Sequence, residues 1–189
     1  MIVNAVTEGD QHKLSMKNLE LKAVAGDLAR LRRVLRTMGA RHEPRPLDQV
    51  DWYFTVPRGR LKLRQRKGER TAEIVLYVRP AANRARASEY QKLPTADAAG
   101  MLRLLRAMFV ADVCVRKRRD LWLHGETRVH LDRVEGLGSF VEIEVPFTRH
   151  VTQARREMRA LAGLLGIARG DVLASSYADL LARRPVDGE

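Results

Sequence analysis

Charged and polar residues recur at every second position along several stretches of this 189-residue chain. The sets are Asn18, Glu20 and Lys22; Lys62, Arg64 and Arg66; Lys117 and Arg119; His130 and Asp132; and Glu142 and Glu144. Successive side chains of an extended strand point to opposite faces, so each set projects from one face. The alternate positions are mostly apolar and include Leu19, Leu21, Leu61, Leu63, Leu131, Val141, Ile143 and Val145. Two arrangements produce such a pattern. One is a sheet with a solvated polar face. The other is a curved sheet or barrel whose polar faces converge on an internal anionic ligand. Carboxylates so gathered suit a hard ion such as Mg2+ or Mn2+. Lysine and arginine would grip an anion, the first as a compact cation and the second through paired hydrogen bonds.

The elements that must position these residues follow from periodicity and turn chemistry. Strands are expected over 17–24, 49–56, 60–66, 73–79, 88–93, 113–119, 120–124, 127–134 and 139–145, with turns at Pro57-Arg58-Gly59, Gly125 and Gly136-Leu137-Gly138. The Ala/Arg-rich stretch after Pro80 reads as a mobile loop. Asp27 is placed to cap a helix with the apolar stripe Leu28, Leu31, Leu35 and Met38, and Gly39 is placed to stop it. Thr95 is placed to cap a second helix running to Phe109, burying Met101, Leu104, Leu105 and Met108. Two more helices are expected over 152–165 and 171–183. Met1 to Ser15 is polar and aperiodic, a loose leader before a single domain over 16–189.

Composition narrows the partners. With 35 Lys+Arg against 23 Asp+Glu, the net charge of +12 favours a polyanion, whether nucleotide, polyphosphate, nucleic acid or acidic membrane. No apolar run approaches the ~20 residues of a membrane span, and Met1 to Ser15 has no secretory-signal pattern, so a cytoplasmic protein without membrane attachment is expected. The lone Cys114 excludes an intrachain disulfide or a thiolate metal cluster. His12, His42, His124, His130 and His150 are scattered and lack zinc-site spacing. There is no GxxxxGK[ST] phosphate loop, and the basic residues lack the exposed aromatic-basic signature of a familiar RNA module, which argues against nucleic acid.

The segment Asn18-Leu19-Glu20-Leu21-Lys22 resembles the N-terminal ExExK signature of the CYTH superfamily, the triphosphate tunnel metalloenzymes, which include class IV adenylyl cyclases and thiamine triphosphatases. The resemblance continues through Val50 to Phe54, Gly59 to Arg64, Tyr77 to Pro80, Val115 to Arg119, and His130 to Glu144 with its Gly-Leu-Gly turn and Glu-x-Glu strand. The terminal Ser176-Tyr177-Ala178-Asp179-Leu180-Leu181 resembles the cyclase-like branch.

The resemblance implies an α+β fold, a closed antiparallel β-barrel of about eight strands forming a tunnel, with peripheral helices. It implies metal binding by Glu20, Glu142 and Glu144, catalytic positions at Lys22 and Asp132, and triphosphate binding by Lys62, Arg64, Arg79, Lys117 and Arg119. Tyr77, which shares strand parity with Arg79, is a candidate to stack on a purine, as are Trp52 and Tyr53. Arg116 and Arg118 alternate out of phase and belong outside. Asn18 stands where the motif has its first Glu, so the site carries one fewer negative charge, although an amide oxygen can still ligate. The activity implied is metal-dependent conversion of ATP to cyclic AMP and pyrophosphate. Alternatives are hydrolysis of an inorganic or organic triphosphate, or noncatalytic sensing of a nucleotide or polyphosphate. The expected partner is a nucleoside triphosphate or another triphosphate, and a homodimer is among the assemblies left open.

Overall fold

The computed structural model describes residues 16–44, 47–78, 86–147 and 151–183. In chain order these form β1 (Met16–Val24), α1 (Leu28–Thr37), β2 (Arg41–His42), β3 (Leu47–Phe54), β4 (Arg60–Arg66), β5 (Ala72–Val78) and β6 (Arg86–Thr95). There follow α2 (Ala98–Met108), β7 (Ala111–His124), β8 (Thr127–Val134), β9 (Gly138–Pro146), α3 (Val151–Leu164), a 3-10 turn (Arg169–Asp171) and α4 (Tyr177–Ala182). The expected leader over 1–15, the loop residues 81–85 and Arg79 lie outside the described residues.

All strands pair antiparallel in the order β2-β7-β3-β4-β5-β6-β1-β9-β8, and β7 also pairs with β8. The result is an α+β fold built on a curled antiparallel sheet. The 14-residue β7 pairs with β3 over 111–119 and with β8 over 117–124, so Lys117, Arg118 and Arg119 face both neighbours. The sequence suggests two strands here, over 113–119 and 120–124, where the structure has one. In the fold Asp120 accepts from Arg32 Nε of α1 at 2.8 Å, so the charge is matched and the strand runs on. Gly59 makes the β3–β4 hairpin possible at φ +75, and a Cβ there would collide with the Tyr77 carbonyl oxygen.

Alternation sorts the two faces. Leu19, Leu131, Val141 and Ile143 point outward into a core with Leu28, Leu31 and Leu35 of α1 and Met158 and Leu161 of α3. Leu63 and Phe54 pack outward against Ala98 and Leu105 of α2. The Asp27 cap and the Gly39 stop at φ +72 stand as expected.

The second helix differs. Its cap is Asp97, which accepts from the Gly100 N–H at 2.8 Å, while Thr95 ends β6. The buried stripe is accordingly Ala98, Met101, Leu102 and Leu105, spaced at i, i+3, i+4 and i+7, and Leu104 and Met108 are exposed. The last helix is shorter than expected because Ser176 and Asp179 form a capping box that starts it at Tyr177. Among the described residues no helix is long and apolar enough to cross a membrane.

A third cluster lies on the inward side. Tyr177 and Ala178 of α4 pack with Tyr53, Val115, Val134 and Phe140, so α4 fills one end of the space that the sheet curls around.

Candidate functional site

Inward-facing residues meet across the sheet in register. Lys22 lies opposite Glu142 and Glu20 opposite Glu144 between β1 and β9. His130 lies opposite Glu142 and Arg128 opposite Glu144 between β8 and β9. Arg119 faces Asp132 between β7 and β8, and Asp51 faces Arg64 between β3 and β4. Several of these side chains line a cavity open to solvent, whose space including that open part is about 480 Å³. Its walls are Glu20 and Lys22 of β1; Arg60, Lys62 and Arg64 of β4; Tyr77 of β5; Lys117 and Arg119 of β7; and Glu142 and Glu144 of β9. Tyr53, Ser176 and Tyr177 complete it.

Two arginines are held by buried aspartates. Arg64 donates from Nε and Nη2 to the two oxygens of Asp51, both at 2.8 Å, and Lys62 Nζ reaches the same carboxylate at 3.2 Å. Burial alone would raise the Asp51 pKa, but Arg64 and Lys62 hold it well below the usual carboxylate range. Arg119 makes the matching pair with Asp132, at 2.7 Å from Nε and from Nη2, and its Nη2 also reaches Glu142 Oε2 at 2.6 Å. The Tyr177 hydroxyl donates to Asp132 at 3.0 Å. Lys117 Nζ stands 3.7 Å from Asp132, and burial followed by the nearby Arg119 charge lowers its pKa to about 7. Removing either partner of such a buried pair would leave an uncompensated charge, so the counterions fix the cations in place.

The carboxylates gather on the other wall. Glu142 receives Lys22 Nζ at 3.2 Å on Oε1, and Glu144 Oε2 accepts from Arg128 Nε at 3.0 Å. His130 Nδ1 lies 3.4 Å from Glu142 Oε2 and 3.6 Å from Glu144 Oε1. These three residues offer donor atoms within 4.8 Å of one another, a grouping suited to a metal ion. Burial opposes ionisation of both glutamates. Lys22 and Arg119 nevertheless hold Glu142 well below its ordinary value, and His130 and Arg128 lower Glu144 despite the neighbouring Glu142. Burial, with Arg119 next, lowers His130, so its imidazole is neutral near pH 7. Ionised carboxylates beside a neutral imidazole are a donor set that fits a divalent cation.

The structure brings Glu20, Lys22, Lys62, Arg64, Tyr77, Lys117, Arg119, Glu142 and Glu144 to one cavity, with Asp132 directly behind it. Asn18 is buried on the strand face of Glu20, opposite Pro146, and is not among the cavity walls. Arg116 and Arg118 are exposed. Trp52 packs outward against the α2 side, with the Arg106 guanidinium 4.4 Å from its ring centre. That position removes it as a base-stacking candidate.

Sequence reasoning did not assign Asp51, Arg60, Ser176 or Tyr177 to the site, and it placed His130 on the face of Asp132 without giving it a role. Arg60 carried a usable signal, standing two residues before Lys62. For Tyr177 no local pattern exists, because its place depends on where α4 docks.

The family profile for the CYTH domain matches residues 16–177. No curated protein matches the chain. Among solved structures, the PH1012 protein of Pyrococcus horikoshii superposes with a TM-score of 0.79 at 23% identity, covering 86% of this chain and 98% of that one. A proposed adenylate cyclase from Vibrio parahaemolyticus gives 0.72 at 19% identity, covering 87% and 97%. A proposed adenylyl cyclase from Hippeastrum, described with a dominant triphosphatase activity, gives 0.61 at 13% identity, covering 89% and 95%.

Proposed function

The chain belongs to the CYTH family, and on that premise we propose that it performs divalent-metal-dependent phosphoryl chemistry on a triphosphate held inside the curled sheet. The observation that carries this reading is one solvent-open cavity with buried cations on one wall and a carboxylate group on the other. In this reading the sheet closes into a tunnel within one domain over 16–189. Lys62, Arg64, Lys117 and Arg119 bind phosphate oxygens, as does Arg79. Asp51 and Asp132 orient the arginines, so the donors are set before the substrate arrives and need no reorganisation as charge develops. Lys22 stands between the acidic wall and the phosphates. Glu20, Glu142 and Glu144 would hold Mg2+ or Mn2+, which when bound neutralises phosphate charge and assists the leaving group.

The first specific reaction is cyclisation of ATP, in which the ribose 3′-hydroxyl attacks the α-phosphorus and pyrophosphate leaves. It is supported by Ser176 and Tyr177, which belong to the cyclase-like terminal segment and line the cavity. The second is hydrolysis of a triphosphate at its terminal phosphorus. It is supported by the aromatic rings, which already face ammonium groups. Lys22 lies 4.2 Å and Lys117 5.2 Å from the Tyr177 ring centre, and Lys62 lies 5.1 Å from that of Tyr77. Such a cavity recognises charge more readily than a stacked base.

Incubation with a panel of triphosphates plus Mg2+ or Mn2+, with products identified by mass, separates these reactions. Cyclic nucleotide supports the first and orthophosphate the second, while binding without product makes the protein a sensor. Absence of saturable triphosphate binding sinks the reading altogether.

A further inference from the structure

We propose that His130 is a nitrogen ligand of the metal site and biases it toward first-row transition ions such as Mn2+ over Mg2+. The inference rests on reading the cavity as a metal–triphosphate site and concerns which ion that site prefers.

The geometry carries it. His130 is 4% exposed, and its Nδ1 faces Glu142 Oε2 at 3.4 Å and Glu144 Oε1 at 3.6 Å. Well-formed N–H···O bonds are mostly about 2.7–3.2 Å, so the contact to Glu142 is a long hydrogen bond, that to Glu144 is longer still, and the ring is aimed between the two oxygens. Adjacent ligands on a six-coordinate ion bonded at ~2.1 Å sit roughly 3.0 Å apart. The two nitrogen–oxygen distances would contract by only about half an ångström to meet that spacing, and all three donor atoms already lie within 4.8 Å of one another. The parts of the cluster come from rigid elements, because the β8–β9 register sets His130 opposite Glu142 and strand parity brings Glu144 to the same face. Both glutamates are also steadied by cations: Lys22 on Glu142 Oε1, Arg119 at 2.6 Å on the Oε2 that faces His130, and Arg128 on Glu144 Oε2, so a bound ion would share Glu142 Oε2 with the Arg119 guanidinium.

Chemistry then gives selectivity. Mg2+ takes oxygen ligands and sheds water reluctantly, so an imidazole adds little to its binding. Transition ions accept imidazole readily. A site of glutamates alone would lack this preference, and His130 introduces it.

The full chain should bind Mn2+ alone, followed by its electron paramagnetic resonance, with 14N coupling visible by spin-echo modulation. Mg2+ should displace it only at a concentration at least tenfold higher. In His130→Asn, which substitutes an amide for the imidazole, the 14N coupling should vanish and the Mn2+/Mg2+ affinity ratio should fall about tenfold. Circular dichroism monitors folding, and His130→Gln provides a second variant if the first is unstable. Bound Mn2+ without nitrogen coupling, or an unchanged ratio in a folded variant, overturns the assignment while leaving the phosphoryl reading intact. That reading is checked separately by calorimetry with inorganic tripolyphosphate. Absence of saturable binding by either metal overturns the proposal together with the metal dependence it rests on.

Discussion

The two faces of the curled sheet are built from alternate residues of the same strands, and adjacent residues on opposite faces can be equally buried. Leu131 is 1% and Asp132 0% exposed, and Leu63 is 0% and Lys62 3%. Outward residues gain from leaving water, about 1.5–3 kcal/mol for each large aliphatic side chain. Inward residues lose hydration that ion pairing only partly returns. The outer face therefore stores the stability of the fold, and the inner face draws on it to keep charges dehydrated, aligned and ready for a polyanion.

The sharpest way to break that contrast uses neighbours on β9. Glu144→Ala should lower metal-dependent turnover more than about 100-fold with only a small change in the unfolding midpoint. Ile143→Ala, which points into the α1 and α3 core, should cost about 2–5 kcal/mol of stability and leave the metal affinity of the folded protein intact. Equal losses of metal affinity in the two variants would abolish the distinction between the faces.

A smaller effect is expected on β7. Lys117→Ala should weaken triphosphate binding by about 1.5–3 kcal/mol, the range for hydrogen bonds to charged groups. The exposed Arg116→Ala should change it less than about twofold, as surface charges usually do. Calorimetry on both variants tests the register, and similar losses would mean that it is wrong.

The third effect depends on pH. With the Lys117 pKa near 7, triphosphate binding at pH 8 should take up a proton, and affinity should fall as pH rises from 6 to 8. Binding heats in buffers of different ionisation enthalpy measure the uptake, and a heat independent of buffer would contradict it. For folding the sign is opposite. Lys117 titrates lower in the folded chain than in the unfolded one, so the unfolded state binds more protons between about pH 7 and 10.5, and this residue's contribution to stability improves as pH rises through that window.

The smallest effect belongs to Asn18, buried on the face of Glu20 but outside the cavity wall. Asn18→Asp adds a charge without bulk and should tighten metal binding only a few-fold. Metal titration giving no change would show that position 18 is not electrostatically coupled to the site.

The sequence made the faces legible because strand parity is local: one charged residue at Glu142 predicts the direction of Glu144. It also marked the α1 boundaries through Asp27 and Gly39, whose roles depend on their own backbone. What it hid depends on distant partners. The strand boundary set at Asp120 is absent, and the buried Asp120 finds its partner only in Arg32 of α1. Asp51 gained meaning only when the β3–β4 register placed Arg64 across from it. The α2 stripe was misassigned for a different reason, since Thr95 and Asp97 are both good caps and two residues of phase decide which leucines are buried.

The position of α4 bears on how the cavity exchanges its contents. Ser176 accepts from Arg60 Nη1, Asp179 lies 2.6 Å from Arg60 Nη2, and the Tyr177 ring packs against Phe140 in a cluster that includes Tyr53. In the proposed reading, a tunnel plugged at one end by α4 has no through-flow, so arriving substrate and departing product would share a doorway and the same basic residues. Pyrophosphate or shorter phosphate chains should then act as competitive inhibitors. A long linear polyphosphate would have to enter end first, so its terminus, and not its interior, would meet the carboxylate wall.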